Sequence, residues 1–476
     1  MTAVVTSQSQ HREAEEIFDP GSFRDPGGRV FELDGHVLRT VNRQLADDFG
    51  WVQASGLLDA LADAGKCVRT AETRLAHAAQ FPSAWKVLES ERVPYITYPY
   101  EWTFAALKRA ALFHLDLHLE VLGRGGNLID ASAYNVQFRG AAPVFIDVLS
   151  LRRYRDGEVW AGHRQFCEQF LNPLLLRACL GIPHNAWYRG ALEGIRSAEL
   201  LPLLRLRHKA SWSVLMHLVA PEMLARSAVA GRVAQDRVAA RAALPKKSFV
   251  AMLQGLRRFI SALRPARARP SQWAHYAIDN TYAVEEAERK RAVVQGFVER
   301  ARPARVLDLG CNTGEYAELM LRAGASSAVG LEADPQAAEQ AFERAANGRL
   351  DFLPLVMDAA NASPSQGWRN AERPSFAERA RFDAVVALAF EHHLAIGRNV
   401  PLAQVIAWIV EFAPRGLIEF VPKDDPTIRR MLALRDLPLE DYSESSFRSL
   451  LAARARITRE DRISATGRTL FAFERA

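Results

Sequence analysis

Cysteine is scarce: the 476-residue chain has 4, Cys67, Cys167, Cys179 and Cys311, with neither CxxC spacing nor a histidine cluster beside them. That excludes a disulfide-stapled frame and a zinc site of the usual spacing, and fits reduced thiols in a cytosol. Long apolar runs are missing too. None approaches the roughly 18 residues that mark a spanning helix, and the start "MTAVVTSQSQHREAEE" lacks the basic and apolar regions of a secretory signal. A soluble cytoplasmic protein without a transmembrane segment is expected. No internal repeat or low-complexity tract is present, and without a reader motif or aromatic interleaving nucleic acid is not an expected partner.

What the sequence does have is ordinary globular material, 49% hydrophobic and 24% charged. Its length exceeds what one core usually serves, so two domains are expected. Charge is unevenly spread. Between Glu222 and Pro270 eleven Lys or Arg stand against two acids, +9 locally against +6 for the whole chain. Residues 226–269 are therefore a solvated helical face with a linker, or a contact for an anionic surface. The closing "RPARARPSQW" cannot continue a helix and puts the joint between domains near residues 264–272.

Downstream, "ARVLDLGCNTGEYAELMLRAGASSAVGLEAD" reads as a strand ending at Asp308, a turn with Gly310, Asn312 and Gly314, a helix from about Glu315, and a second strand ending in Glu332. Glycines let a ligand approach the backbone, and an acid at the next strand tip can accept from a ribose diol. Asp334 is the alternative acid for that contact. "FLPLVMDAAN" ends a third strand at Asp358, "FDAVVALAFEHHLAIG" supplies a fourth followed by His392 and His393, "GLIEFVPKDDP" is a fifth, and "DRISATGRTLFAFERA" is a closing hairpin. The DxGxxxG form resembles class I S-adenosylmethionine (SAM)-dependent methyltransferases rather than dinucleotide dehydrogenases. The resemblance implies a doubly wound, seven-stranded Rossmann-like sheet over residues 271–476. It also implies SAM as cofactor, Asp358 near the adenine, and a helical lid in "WAHYAIDNTYAVEEAERKRAVV" whose Tyr276, Tyr282 and Lys290 face the cofactor. His392 or His393 is the candidate base for a hydroxyl nucleophile. Methyl transfer from a sulfonium needs alignment and proton removal, so no metal is expected in this domain.

The N-terminal half carries a different constellation. In "NLIDASAYNVQFRGAAPVFID", Asp130 is followed five residues on by Asn135 and, after a hairpin, by Asp147; a long helix, "EWTFAALKRAALFHLDLHLEVLGRGG", precedes them. This resembles the catalytic loop of protein kinases and aminoglycoside-type phosphotransferases, which implies an α+β kinase-like domain with a helical extension, and Mg at Asn135 and Asp147 with ATP if phosphoryl transfer survives. Three departures weaken that implication: Leu128 stands where kinases usually carry His, Asp147 is followed by Val-Leu-Ser instead of Phe-Gly, and no strand lysine is evident, leaving Arg39 in "HVLRTV" as the nearest phosphate-binding cation.

The combination of "ITYPYEWTFAALK", "DASAYNVQFRGAAPVFID" and "VLDLGCNTGEY" resembles a widespread bacterial family of class I methyltransferases whose relatives include rhizobial proteins linked to host-specific nodulation. The expected organisation is a flexible N-terminus (1–19), a kinase-like domain (20–240), a basic helix and linker (241–270) and a methyltransferase domain (271–476). The expected activity is SAM-dependent methylation of a hydroxyl or phosphate on a glycan or small-molecule acceptor. The alternatives are a bifunctional kinase-methyltransferase and a non-catalytic protein with two ligand sites; oligomeric state is not legible.

Overall fold

A computed structural model describes residues 18–73, 81, 84–229, 243–266, 284–432 and 441–475. Its C-terminal half is built on a seven-stranded sheet: β9 (Arg305–Leu309), β10 (Ser327–Glu332), β11 (Phe352–Val356), β12 (Ala384–Ala387), β13 (Arg415–Phe420), β14 (Arg456–Arg462) and β15 (Thr469–Glu474). The order is β11-β10-β9-β12-β13-β15-β14. The first five strands are parallel, and β15 enters antiparallel between β13 and β14. These are short apolar runs buried on both faces, as helix-covered parallel strands must be. The helices Glu315–Arg322 and Pro335–Gly348 turn their alanine, methionine and phenylalanine sides onto the sheet. The reversal of strand order between β9 and β12 opens the crevice in which doubly wound sheets bind ligands, at the carboxyl ends of the strands.

The N-terminal half begins with an antiparallel sheet of β1 (Val30–Leu33), β2 (His36–Asn42), β3 (Thr70–Glu72) and β4 (Ala84–Ser90), in the order β1-β2-β4-β3. Asp34 and Gly35, both at positive φ (49° and 82°), make the two-residue turn between β1 and β2. The helix Phe104–Gly123, capped by Thr103 Oγ1 on the Ala106 amide, runs through the core. Two pairs follow: β5 (Gly126–Leu128) with β8 (Leu151–Arg153), and β6 (Val136–Arg139) with β7 (Ala142–Phe145).

The basic stretch divides into parts of different character. Helix Lys246–Ala262 buries Phe249, Leu253, Leu256 and Ile260 against helix Phe104–Gly123. Arg257 grips Asp116, and Lys108 Nζ reaches the Ser261 and Leu263 carbonyls at 2.8 and 2.9 Å. That helix is thus part of the N-terminal core, and its basic side is only partly free. The proposed joint near 264–272 falls largely outside the described residues.

The two halves share one apolar core. Phe138 of β6 meets Phe342 edge-on at 6.1 Å, and a Cβ at Gly140 (φ 54°) would strike the Leu350 carbonyl at 2.4 Å, so the β6–β7 turn fits against the entry to β11 only as glycine. The β11 edge of the large sheet is met in this way, whereas β14, at the other edge, is largely exposed.

Candidate functional site

At the carboxyl end of β9 the chain turns through Gly310 (φ 74°), Asn312 (φ 48°) and Gly314 (φ 79°) into helix Glu315–Arg322. A side chain at Gly310 would press on the Phe390 ring at 2.9 Å, and one at Gly314 on Phe352 at 2.6 Å. Glu332, at the tip of β10, holds the turn: Oε2 accepts from the Asn312 amide at 2.9 Å and Oε1 from the Asp334 amide at 2.8 Å. Asp334 caps the next helix through the Gln336 and Ala337 amides. Both carboxylates thus already accept from backbone amides, and these contacts do not choose between Glu332 and Asp334 for a diol.

Asp308 is 2% exposed, and its Oδ2 has no hydrogen-bond partner. Burial, reinforced by the charge of Glu332, pushes its carboxyl up to about 7, against a smaller opposing pull from Lys290. A buried carboxyl with an unmet acceptor is costly unless a ligand completes it. A cation would both meet that acceptor and draw the pKa back down. SAM fits on this ground: it carries positive charge at the sulfonium and ammonium, and a diol for Glu332 or Asp334. The strand expected to end at Asp358 stops at Val356; Asp358, two residues on, accepts from the Ala360 amide at 2.9 Å and pairs with Arg398 at 2.7 Å.

Lys290 is buried and bound to Glu419 at 2.7 Å, the first link of a chain that runs through Arg468 (3.3 Å from Glu419) to Asp425 (2.7 Å from Arg468). This network ties helix Val284–Ala301 to the sheet beside Asp308. Sequence reading missed Glu419, Arg468 and Asp425, although an acid inside the apolar run "GLIEFV" is a usable signal for a buried partner. Tyr276 and Tyr282 lie outside the described residues.

His392 and His393 stack at 4.2 Å between ring centroids. His392 has no exposed surface and its Nδ1 lies 3.5 Å from Glu391 Oε2, whereas His393 is only half-buried. His392 is thus shut off from an acceptor as arranged, while His393 keeps some exposed surface. Burial, then the neighbouring His392, pushes the His393 pKa down to about 3, so it is neutral throughout the physiological range.

In the N-terminal half Asp130, Asn135 and Asp147 converge, together with Arg39. Arg39 Nη1 donates to Asp147 Oδ1 at 2.6 Å and Nη2 to Asp25 at 3.1 Å, while Asn135 donates to Asp147 Oδ2 at 3.3 Å. Asp130 accepts from the Ser132 amide at 2.7 Å, and burial, then the charge of Asp147, raises its pKa. With both oxygens of Asp147 engaged by protein donors, these residues do not fit a magnesium ion as arranged; a guanidinium already neutralises the carboxylates. Among the described residues no group of three or more His, Cys, Asp or Glu is placed to hold a metal.

A methyltransferase-domain family matches residues 280–448. The chain is 47% identical over 462 residues to the nodulation protein NoeA of Rhizobium meliloti strain 1021, spanning 96% of each protein. The chain belongs to that family. It is a SAM-dependent methyltransferase. Two solved structures are also similar. The N-methyltransferase NodS of Bradyrhizobium japonicum WM9 with S-adenosylhomocysteine is 15% identical and covers 42% of this chain and 91% of its own, at a TM-score of 0.30. The magnesium protoporphyrin IX methyltransferase ChlM of Synechocystis PCC 6803 with S-adenosylhomocysteine is 15% identical and covers 47% and 95%, at 0.31.

If Glu332 holds the ribose, its replacement by alanine removes a charged acceptor and frees the Asn312 and Asp334 amides. SAM affinity should fall by about 1.5–3 kcal/mol. Calorimetry giving Glu332→Ala and wild type the same affinity would take Glu332 out of the site.

Proposed function

We propose that this methyltransferase alkylates a hydroxyl or phosphate oxygen of a glycan or small-molecule acceptor, with Asp308, Gly310, Asn312, Gly314 and Glu332 holding SAM and the N-terminal half, a kinase-like domain, presenting the acceptor. The observation that carries the reading is the unmet Asp308 carboxyl, buried near Glu332 toward the carboxyl end of β9. When bound, SAM supplies a methyl group already activated on a sulfonium. The chain's own part would be to align the acceptor with that methyl and to take up the hydroxyl proton, a role for which His393 is the candidate. Nodulation, named in the 47% identical relative, favours a glycan or secreted signal molecule as acceptor.

A cavity of about 250 Å³ between the halves supports presentation from the N-terminal side. Phe104, Arg177 and His184 line it from one half, Gln336, Glu339 and Val356 from the other. Burial pushes Glu339 up to about 7, so at neutral pH the carboxyl can either donate or accept. The Arg39 clamp on Asp147 favours recognition of an acceptor or nucleotide over phosphoryl transfer. The test is to incubate the full chain with labelled SAM and fractionated envelope glycans and small metabolites, with and without ATP and magnesium, and to identify what gains a methyl. His393→Ala should slow turnover about 10²-fold or more with SAM affinity nearly unchanged. Less than about tenfold would mean the acceptor loses its proton elsewhere, and ATP hydrolysis abolished by Asp130→Asn would favour the bifunctional alternative.

A further inference from the structure

Residues 212–229 form an unbroken helical run: α-helix Trp212–Val214, a π-turn over Leu215–Val219, then α-helix Ala220–Val229. One side is anchored. Val214 and Leu218 are buried, and His217 Nδ1 lies 2.9 Å from His163 Nε2. The other side is also apolar, but it faces outward. Trp212 is 72% exposed, Met223 64% and Leu224 57%, with Leu215 and Met216 beside them, and Leu206 on the adjoining short helix is 83% exposed. The residue that a π-turn inserts brings Met216 and Leu224 two turns apart onto one side, so the stripe is continuous along the helix. Exposed apolar surface clustered in this way marks an interaction site.

Three features select the occupant. Side chains this exposed stand proud of the surface, as a wedge does, whereas a groove for a peptide would leave its lining half covered. The flank at the adjoining short helix is basic, with Arg205 and Arg207 exposed and Lys209 half-exposed, while the exposed Arg226 pairs with Glu222 at 2.9 Å. The same charge sign continues in sequence, since residues 205–247 contain nine Lys or Arg against two acids. An amphipathic helix with Trp, Leu and Met on one side and exposed arginines on the segment that precedes it fits the interface of an anionic bilayer, where the apolar residues enter the headgroup boundary and the cations meet phosphates. Among the described residues no helix is long and apolar enough to cross a membrane.

We propose that the protein docks on anionic lipid membranes through the stripe from Leu206 to Leu224, lying on the surface. This relocates the anionic contact expected of residues 226–269, because helix Lys246–Ala262 spends its apolar side inside the protein. The experiment is cosedimentation of the full chain with vesicles of phosphatidylcholine alone and of phosphatidylcholine mixed with phosphatidylglycerol. Binding to the anionic vesicles only, weakened by salt, is expected. Trp212→Ser combined with Met223→Ser should reduce partitioning about tenfold or more, by removing the buried apolar area. Arg205→Glu combined with Arg207→Glu should reduce it about 25-fold or more, at about fivefold per arginine. SAM binding by each variant reports that it is folded. Absence of vesicle binding, or equal binding by the Trp212 and Met223 variant, overturns the proposal. So does a wild-type dimer that Trp212→Ser converts to monomer in sedimentation equilibrium, for then the stripe joins two copies of this chain.

Discussion

Between pH 6.5 and 4 the urea midpoint of this protein should fall steeply. Burial lowers the pKa of several histidines, five of them far: His114 and His393 to about 3, and His118, His184 and His217 to about 4. The first two in the chain are set among Trp160, Phe166, Phe170 and Phe249. A base whose folded pKa lies below its unfolded value takes up a proton on unfolding anywhere between the two. Its contribution to stability is therefore complete above about pH 6.5 and lost as pH falls below it, by about 1.4 kcal/mol per pH unit per group. Asp308 and Glu339, raised to about 7, act oppositely: both hold a proton when folded and release it on unfolding, so acidification favours the folded state through them. Asp130 and Glu332, raised by burial, add to the opposing side and His163, lowered by burial, to the first. The five far-shifted rings still predominate, and the net loss is on the order of several kcal/mol by pH 5, comparable with the stability of a typical domain. His114→Phe should flatten the slope by about 1.4 kcal/mol per pH unit. A midpoint unchanged from pH 7 to 5 would mean that the rings take up protons in place.

How much of this was legible depended on how local the determinants are. "SAVGLE" is read as a strand ending in an acid and occupies β10 residue for residue, Ser327–Glu332, because the apolar run and its terminal acid are consecutive. The helix start at Glu315 was legible for the same reason: Gly314 interrupts the pattern where the backbone needs positive φ. The closing hairpin follows from two β-rich runs with Gly467 (φ 97°) between them. His392 and His393 could not be told apart, since adjacent residues differ in burial only through the elements packed around them. Least legible were contacts between distant segments. Nothing near Lys290 points to Glu419, 129 positions on, nor does the composition of 359–381 announce that this stretch grips the N-terminal half. There Arg373 stacks 4.2 Å above Tyr134, next to Asn135, and Arg24 donates to Glu372 at 2.8 Å.

The firmest of those grips is Arg379 on Glu101, and cutting it should cost about 3–5 kcal/mol, the usual penalty for orphaning one partner of a buried pair. Glu101 has no exposed surface and the Arg379 side chain is 7% exposed. Arg379 Nη1 reaches Glu101 Oε2 at 3.2 Å and the Ile96 carbonyl at 2.6 Å, and its guanidinium lies 4.3 Å above the Tyr98 ring. Every donor on that face is thus matched to an acceptor on the segment between β4 and helix Phe104–Gly123. Arg379→Met keeps most of the volume but leaves the Glu101 carboxylate in an apolar seam with the Tyr98 amide (2.9 Å) as its remaining donor. Pairing that change with Glu101→Leu removes the stranded charge, and part of the lost stability should return, since apolar residues of similar volume often replace buried ion pairs at little cost. Urea titrations of the two single variants and the double variant close the cycle, and a coupling energy of about 1–3 kcal/mol is expected for groups in direct contact. Arg379→Met within about 1 kcal/mol of wild type would show instead that water reaches the pair and that the seam between the halves opens in solution.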